Sequence, residues 1–407
     1  MKGSKHMNGL RVIYCRCYQH VMALAMHFLP FNEPERHEGM ASIPGILKEH
    51  GYSHPLLVVD PMLDKLGLAT PLKEGLTKAG ISYALFTEVV PNPTFPCVYS
   101  ARKMAVDNKC DSIIALGGGS SIDTAKAVGA LLANPKKDIP DLRGTLKVHH
   151  RYHFLIAIPT TAGTGSEATV AAVVVNPETH EKFSLNDPHL IPQIAIHDDS
   201  LLKGLPPKVI STTGMDALTH AVEAYIGHTR TKKTKAYSLE ATRLIGEYIF
   251  RFYSNHDDDE ARKQMLKASY LAGVSFTRSY VGYVHAIAHS LGGEYNVPHG
   301  LANAVILPHV LKRYGKSCYK ALSDLSLAAG VGKKEASKEV NAKAFIAWIE
   351  DMNKKMAIPT TFDHLIKPED IATLSSRADH EANPLYPVPK EMDQKELAEL
   401  YQEIDPQ

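Results

Sequence analysis

The chain has 407 residues, with 45 basic and 44 acidic side chains and a formal net charge of +1. So even a balance argues against a nucleic-acid or membrane-surface protein, and no run is apolar enough to span a bilayer. The length exceeds one ordinary core and predicts two domains. The five cysteines are odd in number and form no disulfide framework, which points to a reducing cytoplasm. Cys15 and Cys17 are too close together for an ordinary bridge.

The opening MKGSKHM (1–7) reads as a tag remnant. Residues 1–27 form an N-terminal extension that includes it. Residues 12–28 mix apolar, Arg and His positions without a small-residue cleavage site. A surface helix or strand, or an oligomer contact, fits them better than a signal peptide.

From residue 55 short β-rich runs alternate with helical stretches. Strands are predicted at 55–60, 81–89, 112–116 and 154–159, with helices at 62–79 and 98–108 among them. This alternation argues for a parallel sheet covered by helices on both faces. Ligands of such sheets bind at the carboxyl ends of the strands. GGGSSIDTAK (117–126) follows one strand and opens a helix. Gly117, Gly118 and Gly119 let the backbone approach a pyrophosphate, the amides of the next helix face the anion, and Ser120 and Ser121 can donate. A plain tight turn is the alternative, since neither GxGxxG nor a P-loop Lys-Ser/Thr is present. Asp123 is odd beside an anion and reads equally as an N-terminal helix charge. Asp60 ends the first strand. It can bind a ribose 2′-hydroxyl and repel a 2′-phosphate, or simply cap a helix before Pro61. PTTAGTGSEAT (159–169) imitates a Rossmann pattern, but the strand-like 170–175 follows it. Its hydroxyls, Thr160, Thr161 and Thr164 among them, suit a cofactor-contacting loop. Lys182, taken alone, reads as a solvated lysine.

Past residue 205 the β-rich runs stop. Helices are predicted at 209–226, 232–253, 258–275, 284–291, 302–313, 338–355, 370–378 and 394–403. The expected division is an α/β dinucleotide-binding domain over 28–205 and an all-helical metal-binding domain over 206–407, with the active site in the cleft between them. Asp216 and His220 project from one side of a helix, one turn apart. His285 and His289 repeat that spacing. Gly292 and Gly293 are expected to stop their helix, and His299 to come from a loop. A surface pair, or core histidines satisfied by hydrogen bonds, would explain one such residue well and several poorly. Asp216, His220, His285 and His299 together give one charged oxygen and three neutral nitrogens, a set that suits zinc or ferrous iron.

GGGSSIDTAK, PTTAGTGSEAT, GMDALTHAVEAY and VHAIAHSLGGEYNVPHG, in that order, closely resemble the iron-containing (group III) alcohol dehydrogenases. That family includes lactaldehyde reductase, propanediol dehydrogenase and butanol dehydrogenase. The resemblance runs from about residue 28 to the C-terminus. It implies a Rossmann-like parallel-sheet domain followed by an all-helical domain, the dehydroquinate synthase-like architecture. It also implies that loop 117–126 binds the cofactor pyrophosphate, that Asp60 selects NAD over NADP, and that Asn92 and Lys182 reach the cofactor. His289 matches a histidine near the nicotinamide and substrate. It would be a proton relay or orienting group, or a partner behind the metal ligands. The function implied is NAD- and metal-dependent hydride transfer between NAD(H) and a small primary alcohol or aldehyde, with Fe2+ as metal and Zn2+ as the other candidate. Homodimers or larger homo-oligomers are implied, and no nucleic-acid or membrane partner. An NAD-using lyase of the dehydroquinate synthase type is the alternative, although the motif stretches lack the basic residues a phosphate substrate would need. A cofactor-free metallohydrolase leaves the glycine loop and Asp60 unexplained. FTRSYVGY (276–283) departs from the family pattern: Arg278 and Tyr280 are larger than the usual residues before Gly-x-x-His, so no substrate is carried over.

Overall fold

Strands and helices alternate along residues 30–205, one of two compact units in the computed structural model. The other unit joins 206–407 to the N-terminal 1–29. The structure describes residues 7–26, 31–151, 154–179 and 181–406. The tag-like residues 1–6 and the expected boundary at 28 lie outside the described residues.

A helix, α1 (Gly9–Met26), opens the described chain. There follow β1 (Glu35–Glu38), α2 (Ile43–Glu49), β2 (Pro55–Val59), α3 (Pro61–Lys65), α4 (Thr70–Lys78), β3 (Ala84–Phe86), α5 (Phe95–Asp107), β4 (Ser112–Gly117) and α6 (Gly119–Ala133). Next come α7 (Ile139–Leu142), β5 (Gly144–Thr145), β6 (Leu155–Pro159), β7 (Ala171–Val175), β8 (Lys182–Asn186) and β9 (Ile194–His197). Six strands pair in parallel in the order β1-β9-β6-β4-β2-β3, and β5, β8 and β7 form a small second sheet. β2 and β4 are buried along their whole length, as strands covered on both faces must be. The chain passes from β2 outward to β3 and returns to β4 on β2's other side. Strand order therefore reverses between β2 and β4, the place where such sheets bind ligands. Asp60 and Gly117 end the two strands that flank this point.

Two expectations need correction in this unit. The strand expected at 81–89 is confined to 84–86. The helix expected at 62–79 is two helices, α3 and α4, separated by a turn in which Gly67 takes a positive φ of 74°. Of the two pieces only α4 turns apolar residues, Leu72 and Leu76, into the core, whereas α3 buries none.

The second unit contains α8 (Pro207–Ile226), α9 (Lys232–Ser254), α10 (Asp259–Ser279), α11 (Tyr283–Glu294), α12 (His299–Tyr314), α13 (Tyr319–Ala328), α14 (Lys338–Lys355), α15 (Ile371–Ala382) and α16 (Gln394–Ile404). α8 packs against α9, α10 and α12, and is buried without interruption from Gly214 to Ile226. α11 runs through Gly292 and Gly293 to Glu294 rather than stopping before them. Packing against α12 and α15 overrides the weak helix propensity of the glycines. α12 starts at His299, with Pro298 as its N-cap, so this histidine stands on a helix and not in a loop. Among the described residues no helix is long and apolar enough to cross a membrane, and all five cysteines are free thiols.

Candidate active site

Asp216 and His220 share a buried face of α8, one turn apart. The first turn of α12 lies directly on α8: a Cβ at Gly300 would fall 2.5 Å from the Thr212 carbonyl oxygen. Only glycine permits that approach, and it carries His299 to the Asp216 side of α8. α11 sets the His285 ring 4.6 Å from His220 between centroids, and Phe276 stacks on His220 at 4.2 Å. Asp216, His220, His285 and His299 each offer a ligand atom, and these atoms lie within 4.8 Å of one another.

The donors and acceptors decide whether a cation suits this cluster. Nδ2 of Asn303 lies 2.6 Å from Asp216 Oδ1, 3.2 Å from His285 Nε2 and 3.1 Å from His299 Nε2. An amide nitrogen carries two protons and cannot serve three acceptors. His285 Nδ1 hydrogen-bonds Glu223 Oε2 at 2.6 Å, so the lone pair of its Nε2 faces the cluster. Burial, reinforced by His220, His299 and His289, holds the His285 imidazole well below its usual range, so it stays neutral. A carboxylate and three imidazoles that crowd their acceptor atoms on one another fit a divalent first-row cation.

His289 lies outside this set of four. Its ring stacks on His299 at 5.2 Å, and its Nδ1 hydrogen-bonds Glu381 Oε1 at 2.7 Å. The same carboxylate oxygen accepts from the Tyr386 hydroxyl at 2.7 Å. Sequence reasoning missed three partners here: Glu223, Asn303 and Glu381. Glu223 is three residues past His220 on α8, and accepts from Val284 N at 2.9 Å as well as binding His285. Burial pushes its carboxyl up to about 8. Asn303 is four residues past His299. Both spacings were readable as positions on a ligand-bearing helix face, whereas nothing local marks Glu381.

In the α/β unit Asp60, Gly117 and Thr160 stand at the carboxyl ends of neighbouring strands of the main sheet. Asp60 caps α3, its Oδ1 accepting from Met62 N at 2.8 Å and Leu63 N at 3.3 Å. A Cβ at Gly117 would lie 2.2 Å from Ser121 Oγ, so the chain turns there at a distance no other residue allows. Gly118 and Gly119 face Thr161 and Thr164, and Thr160 N donates to the Gly117 carbonyl at 3.1 Å. Ser120 and Ser121 stand in the first turn of α6. Asn92 follows β3 with a positive φ of 51°, and Lys182 begins β8. Asp123 was expected among the cofactor contacts, but both its oxygens are engaged within the protein. Oδ1 accepts from Ser166 Oγ at 2.7 Å and Oδ2 from Val173 N at 3.0 Å, tying α6 to β7. Lys126, also in the glycine motif, is buried and donates to Thr169 O, Thr169 Oγ1 and Ala171 O, each at 2.8 Å.

Tyr280 ends α10 just before the helix that carries His285. Its φ of 60° and ψ of −179° fall in a region almost confined to glycine. Of the two large residues noted before Gly282, Tyr280 is thus also a strained one.

Comparison with known proteins agrees with this chemistry. Residues 36–199 match the family model "Iron-containing alcohol dehydrogenase", and residues 210–404 match "Fe-containing alcohol dehydrogenase family, C-terminal". Alcohol dehydrogenase 4 of Saccharomyces cerevisiae is 36% identical, over 83% of this chain and 87% of its own length. The NAD-dependent methanol dehydrogenase of Bacillus methanolicus is 35% identical, over 82% and 87%. The crystal structure of 1,3-propanediol oxidoreductase superposes with a TM-score of 0.87 at 32% identity, covering 92% of this chain and 99% of the other. These matches give the lyase alternative no support. Both halves of the chain are matched, and so it belongs to the iron-containing alcohol dehydrogenase family of oxidoreductases.

Proposed function

We propose that the protein interconverts a small primary alcohol and its aldehyde using NAD(H), with a divalent ion held by Asp216, His220, His285 and His299. The convergence of Asp216 Oδ1, His285 Nε2 and His299 Nε2 on one amide nitrogen carries this reading. The ion supplies Lewis acidity toward the substrate oxygen, and NAD supplies the hydride acceptor. Glu223 keeps His285 turned with Nε2 inward. Glu381 holds His289 in the same way, which leaves its Nε2 to exchange the hydroxyl proton. Backbone amides of Gly117, Gly118 and Gly119, with Ser120 and Ser121, take the pyrophosphate at the start of α6. Asn92, Thr160, Thr161, Thr164 and Lys182 serve the rest of the cofactor.

NADH formation from ethanol, 1-butanol and 1,3-propanediol tests the activity. Metal-loaded protein that turned over none of these, nor the matching aldehydes with NADH, would defeat it. Preference for NAD rests on Asp60, whose charge opposes a 2′-phosphate. Asp60→Gly should raise activity with NADP, and unchanged discrimination would leave Asp60 as a helix cap alone.

The metal is ferrous iron. Affinity rises across the first-row series, so binding alone does not select it. Anaerobic Fe2+ should restore more activity to the apoprotein than Zn2+. Full activation by zinc, with no gain from iron, would overturn that assignment.

The protein self-associates through α1. Leu10, Ile13, Tyr14, Val21 and Leu24 form an uncharged row at helical spacing, each 59–76% exposed. In a chain with a net charge of +1 such a face does not repel its own copy. Val21→Glu should lower the molecular mass measured by light scattering. Five free thiols favour the cytoplasm as its compartment.

A further inference from the structure

α1 lies outside the family match, which begins at residue 36. Its polar side chains nevertheless converge on one segment, 379–391. Arg11 Nη2 contacts both oxygens of Asp379 at 2.8 Å. Arg16 Nε pairs with the buried Glu391 at 2.6 Å, while its Nη1 donates to Val388 O at 2.8 Å and its Nη2 to Pro389 O at 3.1 Å. Gln19, 2% exposed, donates from Nε2 to Tyr386 O at 2.9 Å and to Pro384 O at 3.3 Å.

The segment needs those donors. Pro384, Pro387 and Pro389 have no N–H, so the loop makes few hydrogen bonds of its own, among them Tyr386 N to Ala382 O at 2.7 Å and Val388 N to Tyr386 O at 2.9 Å. Its carbonyls turn outward to Arg16 and Gln19, and Pro387 O to His228 N at 2.8 Å. Without α1, Pro384 O, Val388 O and Pro389 O would lose the donors supplied by Arg16 and Gln19, and Tyr386 O would keep only Val388 N, which would let the loop rearrange. This loop is the one that holds Tyr386, whose hydroxyl fixes Glu381, whose carboxylate in turn fixes Nδ1 of His289.

We propose that α1 is a positioning element for the active site, with Arg16 and Gln19 acting on His289 through the loop, Tyr386 and Glu381. The N-terminal helix is thereby a functional part of this enzyme and not a dispensable extension. The inference rests on the hydride-transfer reading, in which His289 exchanges the hydroxyl proton.

A double-mutant cycle tests it on the full-length, metal-loaded protein. Gln19→Met keeps the shape of the side chain and removes its donors. Tyr386→Phe removes only the hydroxyl that reaches Glu381. The probe is whichever of ethanol, 1-butanol and 1,3-propanediol the wild type oxidises fastest, with NAD. Gln19→Met should lower kcat about tenfold, the scale of a weakened proton transfer, with metal content and the KM for NAD unchanged. In the Tyr386→Phe background the same substitution should lower kcat by less than twofold, because the path is already cut. Arg16→Lys should fall between wild type and Arg16→Met, since it keeps the charge on Glu391 but not the fork to two carbonyls. Equal effects of Gln19→Met in both backgrounds, or an unchanged kcat, would overturn the proposal. A readout free of turnover separates it from the reading it rests on. In zinc-loaded, 15N-histidine-labelled protein, His289 should show the Nδ1–H tautomer, and Gln19→Met should shift it toward a mixture. An unshifted tautomer overturns the inference. A wild type with no turnover but a shifted tautomer overturns the hydride-transfer reading and leaves the positioning in place.

Discussion

Asp216, His220, His285 and His299 converge from three helices, and each contributes an atom that nothing else in the cluster could replace. The loop at the end of β4 works with almost no side chains. Its proposed working parts are backbone amides, and what shapes them is the absence of a Cβ at Gly117, Gly118 and Gly119. The two sites should therefore fail in opposite ways. The cluster breaks when atoms are removed, and the loop breaks when atoms are added. The comparison also separates what tolerates drift: the cluster depends on partners behind it, such as Glu223, whereas the loop depends on the close packing of Ser121 and Thr164.

Asp216→Asn should give the largest effect. It keeps the shape and deletes the one charged ligand, so turnover should fall on the order of a thousandfold, the scale of several kcal/mol of lost Lewis-acid stabilisation. Turnover within tenfold of wild type would remove Asp216 from the ligand set.

Lys126 is the one side chain of the glycine motif that works like the cluster. Lys126→Met leaves Asp123 and Glu167 buried without their neighbouring ammonium, which should cost about 3 kcal/mol of stability. Burial lowers the Lys126 ammonium from 10.5 to about 8, with Asp123 and Glu167 opposing. The folded pKa is depressed, so the unfolded chain binds more protons in that window. The lysine's pH-linked contribution is full above 10.5 and is lost as the pH falls through about 8. The stability gap between wild type and Lys126→Met should therefore widen as the pH rises from about 8 toward 10.5. Denaturant melts across that range would show it, and a constant gap would contradict the depressed lysine.

Glu223→Gln sharpens the comparison from behind the cluster. Above about pH 8, where the Glu223 carboxyl is ionised, the amide can still meet His285 but loses the charge that supports it. Metal affinity should drop about 10- to 100-fold, measured by competition with a chelator. An unchanged affinity would make Glu223 a packing residue. Gly117→Ala is the smallest, addition-type change. A Cβ there would lie 2.2 Å from Ser121 Oγ, and the strain should weaken NAD binding about tenfold while metal content stays constant.

The legibility of the two regions differs for the same reason. Candidate ligand side chains announce themselves by type and spacing, so Asp216/His220 and His285/His289 could be read from their four-residue intervals, although His289 falls outside the cluster of four. The sequence also marked the strand-to-helix turn at Gly117 and the edge position of Asp60. It did not mark Glu381 or Tyr386, because they reach His289 only through tertiary packing far along the chain. Nor did the glycine motif mark the internal partners of Asp123, whose carboxylate accepts from Ser166 and Val173. Helix ends were read least well. Pro298 starts α12 early enough to include His299, and tertiary contacts carry α11 through Gly292 and Gly293. The role of α1 was invisible, since its partners are the donor-poor carbonyls of a loop at the other end of the chain.

The most direct test of two separable sites, one for metal and one for nucleotide, is a paired measurement on His285→Ala. Metal per chain is taken by elemental analysis after anaerobic iron loading, and the Kd for NAD by titration of the same sample. The account predicts metal at background and an NAD Kd within twofold of wild type. Full metal content, or loss of NAD binding along with the metal, would contradict it.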